Sequence, residues 1–160
     1  MSTHAQRQFV FHGAVILLAG MLAGFPLAAA IADDWGVQDI HAWAVTHTSL
    51  VCACILLIAI GAAARHLALT DRQSRLLPRT LLFSVYALCA GLVVSAVIGH
   101  RGLAPDGSVL NLALYVANIA GVSGALFAGI LLVRGAHAAL RAAAEAMGHD
   151  AIAGAAHREA

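Results

Sequence analysis

The sequence contains no lysine, and charged residues fill only 11% of its 160 positions. A soluble domain of this size needs a mixed, charged surface, in which about a quarter of the residues are Asp, Glu, Lys or Arg. Hydrophobic residues instead account for 61% of the chain. The shortage of charge therefore argues against an ordinary soluble protein. The formal net charge of +1 gives no sign of nucleic-acid binding.

Several catalytic motifs are also missing. The sequence has no HExxH, no CxxC, no Walker loop and no pair of carboxylates inside an apolar run. These absences argue against a zinc protease, an ATPase and a carboxylate-driven proton relay. Cys52 and Cys54 are two positions apart, about 200° around a helix, so they do not chelate one metal together. What stays open is an enzyme whose chemistry belongs to a bound cofactor.

The apolar residues fall in four blocks, each close to the ~20 residues that a helix needs to cross a hydrocarbon core. This pattern predicts an all-α protein, an integral membrane bundle of four transmembrane helices. A single transmembrane domain is expected over residues 1–147, followed by a flexible C-terminal tail over 148–160. The helices are predicted at residues 9–31, 44–64, 80–98 and 110–133, the last with a cytoplasmic extension.

The arginines are placed unevenly along the chain. Eight of the nine lie before the first block, between the second and third, or after the fourth, whereas the loop after the third block has only Arg101. By the positive-inside rule, both termini and the loop around residues 65–79 are cytoplasmic. An alternative is that the first block is a cleaved signal peptide, because residues 28–32 resemble a cleavage site. The block is longer than a usual signal core, so a retained helix is favoured.

Strongly polar side chains at membrane depth are costly, so each is a candidate functional residue. His12 and His47 are expected about one turn inside opposite edges, roughly 20 Å or more apart, too far to ligate one metal ion. Either histidine can also reach water or bond a neighbouring carbonyl, so ligand and ordinary roles both stay open on spacing alone. Tyr86, Tyr115 and Asn118 are weaker candidates for a substrate pocket, and Asn118 can equally be a helix–helix contact.

Small residues form ridges on two predicted helices, where they let another helix approach closely. The sequence does not decide whether the partner helix belongs to the same chain or to a neighbouring copy. The ridges comprise Gly20 and Gly24 in the first helix, and Ala113, Ala117, Gly121, Ala125 and Gly129 in the fourth.

Four short motifs follow one another along the chain: His12-Gly13, the run from Trp43 to His47, the run from Asp71 to Leu77, and Arg101-Gly102-Leu103. Their order and spacing resemble those of the styrene oxide isomerases, small integral membrane proteins of microbial styrene degradation. The resemblance covers about residues 8 to 142, without a gap from Trp43 to Leu103.

The resemblance implies a specific function. Members of the family are trimers of four-helix protomers that bind heme b near the subunit interfaces, and a histidine at the position of His47 is the axial ligand. The iron, here expected to be ferric, acts as a Lewis acid that helps a small apolar epoxide rearrange to an aldehyde, a Meinwald rearrangement. The bacterial inner membrane is the expected location. Beyond the heme iron, the resemblance assigns no catalytic residue to this chain.

The chain departs from the family at two positions near the expected substrate. Family members use a tyrosine in the third helix and an asparagine in the second, where this sequence has Leu92 and Ala53. Neither side chain donates a hydrogen bond. Two alternatives therefore stay open: a heme electron carrier, with His100 as a second ligand beside His47, and a non-catalytic small membrane subunit.

Overall fold

The computed structural model describes residues 3–99, 102–105 and 107–156. No strand occurs within these residues. Each of the four helices is long and apolar enough to cross a membrane. The predicted all-helical class with four membrane-capable helices is therefore confirmed. The helices are α1 (Thr3–Ala32), α2 (Val37–Ala63), α3 (Asp71–Ile98) and α4 (Val109–Ala156), and a 3-10 turn at Ala64–His66 follows α2.

The helix α3 begins at Asp71 rather than at residue 80, the boundary predicted from hydropathy. Thr70 caps its first turn: the Thr70 hydroxyl accepts a hydrogen bond from Gln73 N at 3.3 Å, and Gln73 Oε1 accepts one from Thr70 N at 2.9 Å. This reciprocal capping box satisfies two donors that would otherwise lack partners. Hydropathy marks the apolar stretch of a helix, whereas the cap marks where the helix starts.

The other helices are also longer than the apolar blocks. The helix α2 begins at Val37 instead of residue 44. The helix α4 continues through Gly148, where the sequence predicts a flexible tail, and ends at Ala156. A single helical glycine costs only about 1 kcal/mol relative to alanine, and the surrounding residues are mostly alanine, the best helix former. Residues 157–160 lie outside the described part of the chain.

The helices pack as two pairs, α1 against α2 and α3 against α4, and the pairs meet mainly where α2 contacts α3. Phe9, Leu57 and Leu77 are completely buried in the shared core. The van der Waals contacts of these large apolar side chains are the main attraction between the two helix pairs.

The small-residue ridges allow close approach within the protomer. A Cβ atom on Gly20 would lie 3.1 Å from Leu50 Cβ in α2, and one on Gly121 would lie 2.8 Å from Leu88 Cγ in α3. The partners of these two ridges are therefore helices of the same chain. At the C-terminal end of the fourth-helix ridge, Gly129 differs: a Cβ there would meet no atom within 4 Å.

The loop between α3 and α4 is held by Asn111. Gly102 N donates to Asn111 Oδ1 at 3.1 Å, and Asn111 Nδ2 donates to the Ala104 carbonyl at 2.9 Å. Gly102 has a φ of +57° and lies so close to α4 that a Cβ would be 2.6 Å from Leu114 Cβ. Glycine is required at this position for both reasons.

Candidate functional site

His47 lies on the side of α2 that faces α1. Its Nδ1 is 2.8 Å from the carbonyl oxygen of Gly20. A carbonyl oxygen only accepts hydrogen bonds, so the proton of a neutral imidazole resides on Nδ1. The other ring nitrogen, Nε2, then keeps its lone pair, which is the form of histidine that binds a metal.

The imidazole lies against α1 between Gly20 and Gly24. A Cβ atom on Gly24 would be 3.4 Å from His47 Nδ1, an ordinary van der Waals contact, so the imidazole does not itself require glycine there. Gly20, one turn earlier, supplies the carbonyl and lets α2 approach. A metal-binding histidine usually donates its other ring N–H to a carbonyl or a carboxylate, and this hydrogen bond fixes the orientation and the tautomer of the ring. With its tautomer fixed in this way, His47 would be able to hold a heme iron through Nε2.

His12 has a different partner. Its Nδ1 is 2.8 Å from the hydroxyl of Tyr86 in α3, and the two rings meet edge to face with centroids 5.6 Å apart. Tyr86 was a candidate for the substrate pocket, and the structure places it in this pair instead. The pair joins α1 to α3 by a polar contact.

The predicted separation of His12 and His47 is too large. His47 contacts Gly20, which lies two helical turns after His12 in α1. At 1.5 Å of rise per residue, about 12 Å along the helix axis therefore separates the two histidines. The prediction of roughly 20 Å or more assumed that each histidine lies one turn inside a helix edge, whereas α1 and α2 both begin further out. Even the shorter separation is too great for both imidazoles to reach one iron.

A cavity of about 640 Å³ lies on another side of α2. It is lined by residues of α2, α3 and α4, and by Gly99 and Leu103 between α3 and α4. Most of the surface is aliphatic, supplied by residues such as Val45, Leu88 and Val122. A cavity of this size and character is large enough for a small aromatic molecule.

The wall of the cavity contains the two positions at which the sequence departs from the resembled family, Ala53 and Leu92. Among the candidate polar residues, Asn118 lies in the wall, whereas Tyr86 and Tyr115 do not. Asn118 Nδ2 donates to the Gly102 carbonyl at 3.2 Å. Sequence reasoning missed the hydroxyls of Ser49 and Ser95, because a serine within an apolar helix gives no sign of what it faces.

His47 and the cavity occupy different faces of α2. At roughly 100° per residue, Val45 and Ser49 project from the side of the helix opposite His47. Thr46 lies between the two faces; its hydroxyl is 2.9 Å from the Ala42 carbonyl and 3.3 Å from the Leu92 carbonyl of α3. A molecule in the cavity is therefore separated from His47 of the same chain by the body of α2.

Two residues that the sequence singled out fall outside the described residues. They are His100, the proposed second ligand of an electron carrier, and Arg101 of the Arg-Gly-Leu motif.

A family model described as styrene oxide isomerase matches residues 5–137, which is most of the chain and includes His47 and the cavity walls. Neither the curated proteins nor the solved structures give a significant match.

Proposed function

Since the chain belongs to the styrene oxide isomerase family, we propose that it is a membrane-bound isomerase that converts aryl epoxides of the styrene oxide type to aldehydes. The observation that carries the proposal is the hydrogen bond from His47 Nδ1 to the Gly20 carbonyl. It leaves Nε2 ready to bind iron, at the position where the family resemblance expects the axial ligand.

The cofactor in this proposal is heme b, held by His47. One imidazole is a sufficient protein ligand for an iron that four porphyrin nitrogens already hold. When bound, a ferric heme supplies a Lewis acid that draws electron density from an epoxide oxygen. Gly20 lets α2 approach α1 closely, and its carbonyl fixes the orientation of the imidazole.

The cavity residues supply the binding surface for the substrate in this proposal. Their aliphatic side chains, including Ala53 and Leu92, fit an apolar aryl group and exclude water, which would otherwise trap the rearranging carbon as a diol. The polar side chains that line the cavity are Asp39, His41, Thr46, Ser49, Ser84, Ser95 and Asn118. The Thr46 and Ser84 hydroxyls already donate to backbone carbonyls, so we assign the orientation of the epoxide oxygen to the Ser49 and Ser95 hydroxyls and the Asn118 amide. They take the place of the tyrosine and asparagine that this chain lacks.

The opposite placement of His47 and the cavity on α2 favours a site shared between neighbouring copies. We expect the cavity of one chain to work with the heme held by its neighbour. The homotrimer implied by the family resemblance would provide such pairs of chains. Each protomer would then contribute to two sites, one through each face of α2.

The orientation in the membrane is part of the same proposal. The arginine distribution supports a bacterial inner-membrane protein whose termini and α2–α3 loop face the cytoplasm. An apolar epoxide dissolves in the bilayer. It can therefore reach a site within the membrane-spanning helices directly from the lipid, and no polar entry channel is needed.

An absorption spectrum and an epoxide assay on detergent-purified protein test the proposal. Wild-type chain should show a Soret band and convert styrene oxide to phenylacetaldehyde without added reductant. His47→Ala should lose most of the heme and all of the conversion, and His12→Ala should keep the heme because its partner is Tyr86. A normal Soret band in His47→Ala would show that another residue holds the heme. Heme without conversion in the wild-type chain would refute the isomerase assignment.

A further inference from the structure

The cavity is long and narrow. Its lining residues run from Asp39 to Leu56 on α2, and in the opposite direction from Gly99 to Leu81 along α3. At 1.5 Å of rise per residue, the α2 stretch covers about 26 Å. The cavity volume of about 640 Å³ spread over this length gives a mean cross-section of only about 25 Å². The cavity is therefore a channel along the membrane-spanning helices rather than a round pocket.

Contacts between the helices show which lining residues share a level in this channel. The Thr46 hydroxyl of α2 is 3.3 Å from the Leu92 carbonyl of α3. On α4, Asn118 Oδ1 would be 2.8 Å from a Cβ atom on Gly91, the neighbour of Leu92. Thr46, Leu92 and Asn118 therefore lie at about the same depth, near the middle of the channel.

The two ends of the channel differ in polarity. Asp39 and His41 lie at one end, the outer end, and Ser49 is the polar lining residue of α2 farthest from it. Beyond Ser49, the described lining residues include one polar side chain, Ser84, whose hydroxyl donates to the Thr80 carbonyl. We call this apolar part, about 10 Å long, the inner channel. It is lined by Ala53, Leu56, Leu81, Val85, Leu88, Val122 and Ala125.

The inner channel is deeper than styrene oxide requires. With the epoxide oxygen beside Ser49 and Asn118, an apolar ring faces away from the Asp39 carboxylate and toward Leu56. From C–C bond lengths near 1.5 Å, the ring carries its para carbon about 4 Å inward. About 6 Å of apolar channel then extends beyond the ring. An extended alkyl chain advances about 1.25 Å per carbon, so this space fits a linear chain of about four or five carbons.

Ala53 lies at the entrance of the inner channel. It follows Ser49 by four residues and precedes Leu56 by three, so the three side chains share one face of α2. The methyl group of Ala53 leaves the path from Ser49 to Leu56 open, whereas a longer side chain would extend into it. The size of the residue at position 53 therefore limits how far a tail can enter.

We propose that the preferred substrate is an aryl epoxide with a linear alkyl tail at the para position, and that Ala53 determines the length of tail admitted. The inference rests on the proposed function for the epoxide and adds the tail. Lipid is as apolar as the inner channel, so moving the tail out of the bilayer adds little affinity. What the tail adds is orientation, because it fits only when it points away from Asp39 and His41.

Photolabelling of the wild-type chain in native membranes tests whether the inner channel holds the tail, without any turnover. The probe is the alcohol that corresponds to para-butylstyrene oxide, with a hydroxyl in place of the epoxide and a diazirine near the end of the butyl chain. Irradiation should attach it mainly to peptides that contain Leu56 or Leu81, which line the inner channel. An excess of the same alcohol without the diazirine should abolish the label.

A matched pair of variants tests the role of Ala53. Ala53→Leu should lower the labelling about tenfold, because one extra methylene in an apolar pocket already costs about that much. Ala59→Leu should keep it, since Ala59 is exposed, lies on the same helix and does not line the cavity. Label that spreads over lipid-facing residues such as Ile55, resists the competitor or survives in Ala53→Leu would overturn the proposal.

Kinetics supplies a second readout. The ratio of kcat/KM for para-butylstyrene oxide to that for styrene oxide should favour the longer epoxide in the wild-type chain. It should fall about tenfold in Ala53→Leu and stay constant in Ala59→Leu. A wild-type preference for styrene oxide, or a ratio that Ala53→Leu leaves unchanged, would contradict the proposal. If neither epoxide is converted, the proposed function fails, whereas the photolabelling still decides whether the inner channel binds the tail.

Discussion

The Gly20 carbonyl should control how tightly the chain holds heme, and Gly20→Ala tests this directly. The added Cβ would lie 3.1 Å from Leu50 Cβ and 3.4 Å from the backbone N of Val51. The contact with Val51 N is an ordinary one, whereas Leu50 Cβ is too close and is tied to its own backbone, so α1 and α2 must separate by about 0.3 Å to relieve it. That shift would lengthen the 2.8 Å bond from His47 Nδ1 toward the upper end of the preferred hydrogen-bond range and weaken it.

The expected cost can be estimated from two sources. Losing a partner of a metal-bound histidine lowers metal affinity by about 10- to 100-fold. Alanine is the smallest side chain that perturbs the contact, so we expect the lower end, about tenfold, or ~1.4 kcal/mol. This agrees with the net value of about 0.5–1.5 kcal/mol for one hydrogen bond.

Gly13→Ala is the matched control. Its Cβ would lie 2.7 Å from Ile58 Cγ1 and 3.2 Å from the Cys54 carbonyl, in the same α1–α2 interface. It is about 10 Å along α1 from Gly20, so it should not disturb His47. Overpacking should lower its free energy of unfolding by about 1–3 kcal/mol while heme affinity stays at the wild-type value.

The assay is the rate of heme transfer to excess apomyoglobin, followed by the Soret band, together with thermal unfolding of the heme-free proteins. Gly20→Ala should release heme about tenfold faster, in line with the affinity loss expected for a disturbed ligand partner. If Gly20→Ala released heme at the same rate as the wild-type chain, the role of the carbonyl would be refuted. Equally fast release from Gly13→Ala would show that heme retention reports only general packing of α1 on α2.

Three further outcomes are expected. Tyr86→Phe removes the hydroxyl that meets His12. Its free energy of unfolding should fall by about 0.5–1.5 kcal/mol while heme content stays constant. Loss of heme in this variant would indicate that His12 contributes to heme binding. In spheroplasts, an impermeant thiol reagent should label Asp33→Cys but not Arg72→Cys, since only the first side chain faces the periplasm in the proposed orientation; the reverse labelling would invert the topology. His100→Ala should leave the heme spectrum nearly unchanged and the resting protein open to cyanide, whereas a six-coordinate spectrum that becomes five-coordinate in this variant would favour the electron carrier.

The four spans were predictable because a helix that crosses a membrane requires a long run of apolar residues, which is visible in the sequence. Helix boundaries were less predictable, since they depend on local capping. At α3, the Thr70–Gln73 capping box adds the polar segment from Asp71 to Arg79, which hydropathy assigns to a loop. The extension contains Pro78, which is buried in the core.

The site was predictable only in part. Composition and depth marked His47, and the family resemblance gave it a role, but its partner lies 27 residues away in sequence. Gly20 could be assigned as the hydrogen-bond partner of His47 only once the pairing of α1 with α2 was known. The same reasoning applies to Ser49 and Ser95, which acquire meaning only when α2, α3 and α4 are brought around one cavity.

The two faces of α2 have a consequence for inheritance. If each site combines His47 from one chain with the cavity of the next, a defect in either face disables only the sites to which that face contributes. Two alleles damaged on different faces, one at His47 and one at Ala53, would then complement each other in mixed assemblies, because intact faces meet at some interfaces. A single allele carrying both defects offers no intact face to its neighbours, and it would complement neither.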